Sequence, residues 1–140
     1  MDFVLDNSVA MRWHLQSEKA SDQKYAEDVL LRLTESDAFV PNLWHLEAAN
    51  VLVVAERRGH TSTGEVERFL SQLENLPLHL DHLTAHQAFS RIFALSRAFK
   101  LSSYDAAYLE LAVRRGLPLA TLDKTLVKAA KRADVPIYRV

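Results

Sequence analysis

Short apolar runs closed by turn residues alternate with longer stretches of helical period along the whole 140-residue chain. That alternation predicts a parallel sheet with helices between its strands. The predicted strands are Phe3–Leu5, Ala38–Val40 ended by Pro41, Leu78–Leu80, Leu117–Leu122 and Pro136–Arg139. The first helix is predicted to run from Ser8 to about Leu15. The second starts at Ser21 or Asp22 and carries Tyr25, Ala26, Val29, Leu30 and Leu33 at helical spacing. A long helix from Asn42 to Arg58 stops at Gly59. The box Ser62-x-x-Glu65 opens the next, with Val66, Phe69, Leu70 and Leu73 on one face. Thr84 caps a helix with Ala85, Phe89, Ile92 and Phe99 inward. Ser102 opens another that ends at Gly116, and Asp123 starts the last, which runs to about Ala133. With no internal repeat, three Gly and four Pro, residues 1–140 read as one α/β domain without linkers.

Among these strands, FVL runs into Asp6 and LATL runs into Asp123. An aspartate before a helix is a common cap, so each alone says little. The helix Asn42–Arg58 says more. Leu43, Leu46, Glu47, Asn50, Val51 and Val54 recur as one stripe, predicted to face inward, with Glu47 and Asn50 in its middle. A buried carboxylate is costly unless a cation or metal accompanies it; the alternative is a Glu at the stripe's edge that reaches water or an Arg. In SSYDAAYLELA, Ser102-x-x-Asp105 is a capping box, yet Asp105 also shares a face with Leu109 and Ala112. The helix dipole at that position keeps a carboxylate ionised.

In an open parallel sheet, sites form at the carboxyl ends of the strands where strand order reverses. Asp6, Glu47, Asp105 and Asp123 are predicted to meet on that rim. Four carboxylates there would repel one another unless a hard divalent cation, Mg2+ or Mn2+, joined them. The six histidines show no ligand-like pairing, and the chain has no cysteine, which excludes disulfides and thiolate metal sites and fits a reducing cytoplasm. No apolar run approaches the ~18 residues of a membrane span, and no signal peptide or membrane association is predicted. Net charge is −1, but residues 1–80 carry 7 Lys/Arg against 13 Asp/Glu, whereas residues 81–140 carry 10 against 5.

Four segments, FVLDNSVAMRW, PNLWHLEAANVL, SSYDAAYLELA and ATLDKTL, occur in the order and spacing of the PIN domain family, and the chain resembles in particular the VapC-type toxins of toxin–antitoxin pairs. The resemblance covers almost the whole chain. It implies a three-layer α/β/α sandwich with strand order 3-2-1-4-5, and Mg2+- or Mn2+-dependent RNA cleavage. The family's acidic positions fall on Asp6, Glu47, Asp105 and Asp123. Ser8 matches a small polar position two after the first acid, and Asn50 a polar position three after the Glu. The resemblance also implies a homodimer and a cognate VapB-type antitoxin whose C-terminal segment covers the active site.

In that chemistry Asp6, Asp105 and Asp123 would hold the metal, and Glu47 would bind it through water or orient the attacking water. Ser8 would cap the first helix or hydrogen-bond a carboxylate or phosphate. Arg12, Lys124, Lys128, Lys131 and Arg132 are the candidates to bring RNA to an acidic pocket. Trp44, Ala48, Leu52 and Ala55 form a second apolar face on the long helix, either buried under neighbouring helices or exposed as a groove for a partner chain. Two other readings stand beside the nuclease: a PIN-like RNA- or protein-binding module without catalysis, and a Mg-binding receiver-type phosphotransfer domain. The receiver reading leaves Glu47 without a role and lacks paired acids after strand one, which is followed by Asp6-Asn7.

Overall fold

In a computed structural model that describes residues 1–140, Phe3–Leu5 form β1, and all three side chains are buried. A strand covered on both faces reads as a continuous apolar run, which is why FVL shows no alternation. β2 (Ala38–Val40) and β4 (Leu119–Ala120) flank it, and β3 (Leu78–Leu80) pairs outside β2. The order is β3-β2-β1-β4, all parallel. The predicted fifth strand is reduced to one parallel bridge, Leu119 to Ile137, with Leu119 N–H donating to Pro136 O and Tyr138 N–H to Leu119 O. β4 is likewise shorter than the predicted Leu117–Leu122. Proline at 118 and at 136 removes the N–H that each longer strand needs.

The helices are α1 (Asn7–Ala10, continued by a 3-10 turn Met11–Trp13), α2 (Ala20–Arg32), α3 (Trp44–Arg57), α4 (Thr63–Glu74), α5 (Thr84–Gln87), α6 (Phe93–Phe99), α7 (Ser103–Arg115) and α8 (Lys124–Arg132). Right-handed crossovers carry the chain from β1 out to β3, then back across to β4, so α1–α4 cover one face of the sheet and α5–α8 the other. Contacts of α1 with α2 and α3, and of α7 with α6 and α8, agree. Strand order reverses between β1 and β4. One core of 32 buried residues fills the space between the layers, with Phe3 stacked on Tyr138 at 4.2 Å.

Several predicted faces are shifted. On α3 the inward residues are Trp44, Ala48, Leu52 and Ala55; Leu46 is 78% exposed, Asn50 is exposed, and Glu47 is half-buried at the edge. Periodicity gives the spacing of a stripe but not which of two equivalent stripes turns inward. Here the larger apolar area of Trp44 sets the phase. The face offered as a partner groove is therefore core.

The segment Thr84–Phe99 contains a π-helical turn at Ala88–Ile92. The wider turn changes the phase of the side chains within and before it, so Phe89 is 97% exposed and Ala85 is exposed, while Ile92 stays buried. Thr84 does not cap this helix. It lies within α5, and its hydroxyl accepts from Asn42 N–H at 2.8 Å. On α4, Val66, Phe69 and Leu73 are buried and Leu70 is outside. Ser62 and Ser102 do cap α4 and α7 as the sequence predicts, accepting from Glu65 and Asp105 N–H. Gly116 ends α7 at φ 63°, a left-handed position that glycine takes without strain.

Candidate functional site

Asp6 leaves β1 at the point where strand order reverses. Val4 pairs with Leu119 and Leu5 with Ala120, which sets Asp6 beside Thr121. The Thr121 hydroxyl donates to Asp6 Oδ2 at 2.8 Å, and the Ser8 hydroxyl donates to the same oxygen at 2.6 Å. Ser8 in turn accepts from Leu122 N–H at 2.9 Å. Ser8 is thus not a helix cap. α1 begins at Asn7, one residue earlier, and the hydroxyl ties the end of β1 to the end of β4. Asp6 occupies the N-cap position, yet its carboxylate caps no backbone N–H of α1. Burial pushes its carboxyl above the usual range, the two hydroxyls oppose that, and the charge of Asp123 adds to it.

Asp123 is a true cap: its Oδ1 accepts from Leu126 N–H at 3.0 Å, and its own N–H donates to Thr121. Glu47, in the first turn of α3, accepts through Oε1 from the Tyr108 hydroxyl. Burial raises its carboxyl, Tyr108 and Asn7 counter that, and Asp6 adds repulsion. Asp105 lies in the first turn of α7, where the Ser102 hydroxyl opposes the rise in its pKa but is outweighed. The Asp105 carboxyl is pushed up to about 6, first by burial and then by Asp123, Asp6 and Glu47 in turn.

The four acids predicted from the sequence therefore stand in one another's field. Asp6, Glu47 and Asp123 share a pattern: one carboxylate oxygen takes the donors, at Oδ2, Oε1 and Oδ1 respectively, and no side-chain donor reaches the other. Asn50 is not brought to this cluster. It is exposed and lines a shallow groove with Leu15, Val51, Val54 and Arg58. Lys124, Lys128, Lys131 and Arg132 are exposed along α8, which begins at the rim; Arg132 lies over the Phe99 ring. Arg12 is half-buried, and none of the five is in an ion pair.

Three residues of the site were missed. Thr121 and Asn7 sit next to the predicted acids, and Tyr108 is one turn after Asp105, so a search for hydroxyl and amide donors flanking each acid would have found them. Also not legible in the sequence is the pairing of a second acidic group, Asp81 and Glu110, with Arg114. Its guanidinium meets both oxygens of Asp81 at 3.1 and 2.7 Å, and Glu110 at 2.6 and 3.2 Å. Those two carboxylates raise the Arg114 pKa, with Glu110 first.

The PIN domain family matches residues 3–132. The chain belongs to the PIN domain family. A solved structure, PAE2754 from Pyrobaculum aerophilum, is similar to this PIN domain with a TM-score of 0.66 at 19% identity, over 92% of this chain and 79% of that one. At that identity the likeness speaks for the fold. No curated protein matches the chain. PIN domains are typically nucleases and generally use divalent metal ions.

The residues present fit such an ion by their chemistry. The cluster offers hard carboxylate oxygens, several of them free, and the Asp105 carboxyl is raised to about 6 by burial and by the charges of its neighbours, both of which a cation offsets. No three His, Cys, Asp or Glu side chains stand close enough together to hold a metal ion as a group. Mg2+ asks for no such group, since it takes one or two carboxylates directly and keeps several waters.

Proposed function

We propose that this PIN domain is a Mg2+- or Mn2+-dependent endoribonuclease of the VapC type, the toxin of a toxin–antitoxin pair acting in the cytoplasm. One observation carries the reading: four carboxylates at the sheet's switch point, three of them anchored by one oxygen and open at the other. That arrangement suits phosphodiester hydrolysis. When bound, a divalent cation supplies Lewis acidity, lowering the pKa of water and offsetting charge on the phosphate. Asp6, Asp105 and Asp123 are assigned to hold it, one or two of them directly and the rest through its waters. Glu47, through Oε2, is assigned to orient the attacking water or to bind the ion through water. Ser8 and Thr121 hold Asp6 by one oxygen and keep it satisfied while buried. Arg12, Lys124 and Lys128 are assigned to the RNA backbone. The partners proposed are RNA, a VapB-type antitoxin and a second copy of the chain.

The test is cleavage of labelled total RNA by the purified protein in Mg2+ or Mn2+, with EDTA and Asp6→Asn as controls. Cleavage that needs both the ion and Asp6 is expected, with Asp6→Asn down by at least about 100-fold, a loss on the scale of removing a key electrostatic group. Metal-independent cleavage, or equal cleavage by Asp6→Asn, would refute the reading. No cleavage by a well-folded, antitoxin-free protein would favour the binding module instead.

A further inference from the structure

Oε1 of Glu47 is occupied twice over. The Tyr108 hydroxyl donates to it in a short hydrogen bond, and Asn7 Nδ2 approaches at 3.5 Å. Asn7 Nδ2 also donates to the Tyr108 oxygen at 3.3 Å and to the Trp44 carbonyl at 2.9 Å. The three elements involved, α1, α7 and α3, are distant in sequence. Asn7 is 7% exposed, Tyr108 0% and Trp44 1%. The Trp44 carbonyl fixes the amide's orientation, because only the nitrogen side of Asn7 can meet that acceptor.

With its oxygen facing Asn7, the Tyr108 hydroxyl has its proton directed at Glu47. A phenylalanine at 108 would fill the core equally well. A buried hydroxyl is retained without cost only where it is bonded, and this one bonds the half-buried carboxylate. Glu47 lies one turn into α3, and a Glu side chain on a helix edge otherwise has several rotamers open to it.

We infer that Tyr108, backed by Asn7, is a positioning residue: it holds Glu47 by Oε1 and leaves Oε2 as the single oxygen that Glu47 presents to the carboxylate rim. This rests on Glu47 serving the metal centre proposed above. A Glu held in this way cannot chelate with both oxygens. It binds through one oxygen or acts through water.

Tyr108→Phe removes the hydroxyl and keeps the ring. Mn2+ affinity is measured from the paramagnetic resonance signal of free Mn2+ for the wild type, Tyr108→Phe, Glu47→Ala and the double variant. Tyr108→Phe is expected to weaken binding about tenfold, the usual scale for a residue that orients a ligand. On the Glu47→Ala background it is expected to cost nothing further, because residues acting through one another are non-additive. An equal loss on both backgrounds would mean general destabilisation and overturn the assignment, as would no loss in Tyr108→Phe. A crystal structure of metal-free Tyr108→Phe gives a second, independent readout. Glu47 is expected to leave its position there, and a Glu47 that stays in place overturns the clamp. If the wild type binds no Mn2+, the metal-centre reading falls, while the crystal comparison still decides the clamp.

Discussion

Asp105 differs from its three companions in that the charges of all the others act on it, and its protonation therefore reports both its burial and the field of the cluster. Its carboxyl is pushed up to about 6 from a usual value of 3.8. A carboxyl raised by folding binds its proton more tightly in the native state than in the unfolded chain, so stability is lost as pH rises from about 4 through about 6. Above that window the metal-free protein carries the full penalty, on the order of 1 kcal/mol after solvent screening at a half-buried site. Asp105→Asn removes the titrating group. In EDTA its urea midpoint should match the wild type near pH 4 and exceed it at pH 7. Adding Mg2+ at pH 7 should raise the wild type and leave Asp105→Asn nearly unmoved. A wild type whose stability stays flat across that window would contradict the repulsion argument.

At the scale of elements, a strand that delivers an acid to a rim can do so for more than one purpose. Asp81 follows β3 just as Asp6 follows β1, but Asp81 is paired with Arg114 rather than left open. The strand-end rule thus found Asp6 and Asp123 without distinguishing them from a structural acid, and the choice came from the resemblance of the four segments. Element order, strand positions and the caps at Ser62 and Ser102 were legible because turn chemistry and apolar runs are local. The phase of α3 and the π turn at Ala88–Ile92 were not legible. They depend on which side chains compete for the same space. The ion cluster was illegible for the same reason, since Asp81 and Arg114 are 33 residues apart. Arg114→Ala leaves two buried carboxylates unpaired and should cost about 3–5 kcal/mol by urea denaturation. Replacing Asp81, Glu110 and Arg114 together with apolar residues of similar size should cost far less, or even stabilise the protein. Equal losses from both would show that Arg114 acts through packing alone.

Across the whole molecule, charge is divided rather than absent. The first 80 residues are acidic and the last 60 basic, and α8 sets Lys124 and Lys128, exposed and unpaired, beside the acidic rim. If they meet phosphates, RNA affinity should fall with salt, and each lost contact should reduce the slope of log affinity against log salt by about 0.7. The double substitution Lys124→Ala, Lys128→Ala should therefore lower affinity and flatten that slope in a filter-binding titration; unchanged binding would remove both from the interface. The urea titrations need no dye or label. The chain has only two tryptophans, and Trp44 is sealed in the core with its carbonyl held by Asn7. Its emission should be blue in the native protein and shift to the red when α3 comes away from the sheet. The molecule therefore carries its own fluorescent gauge, attached to the residue that backs Tyr108.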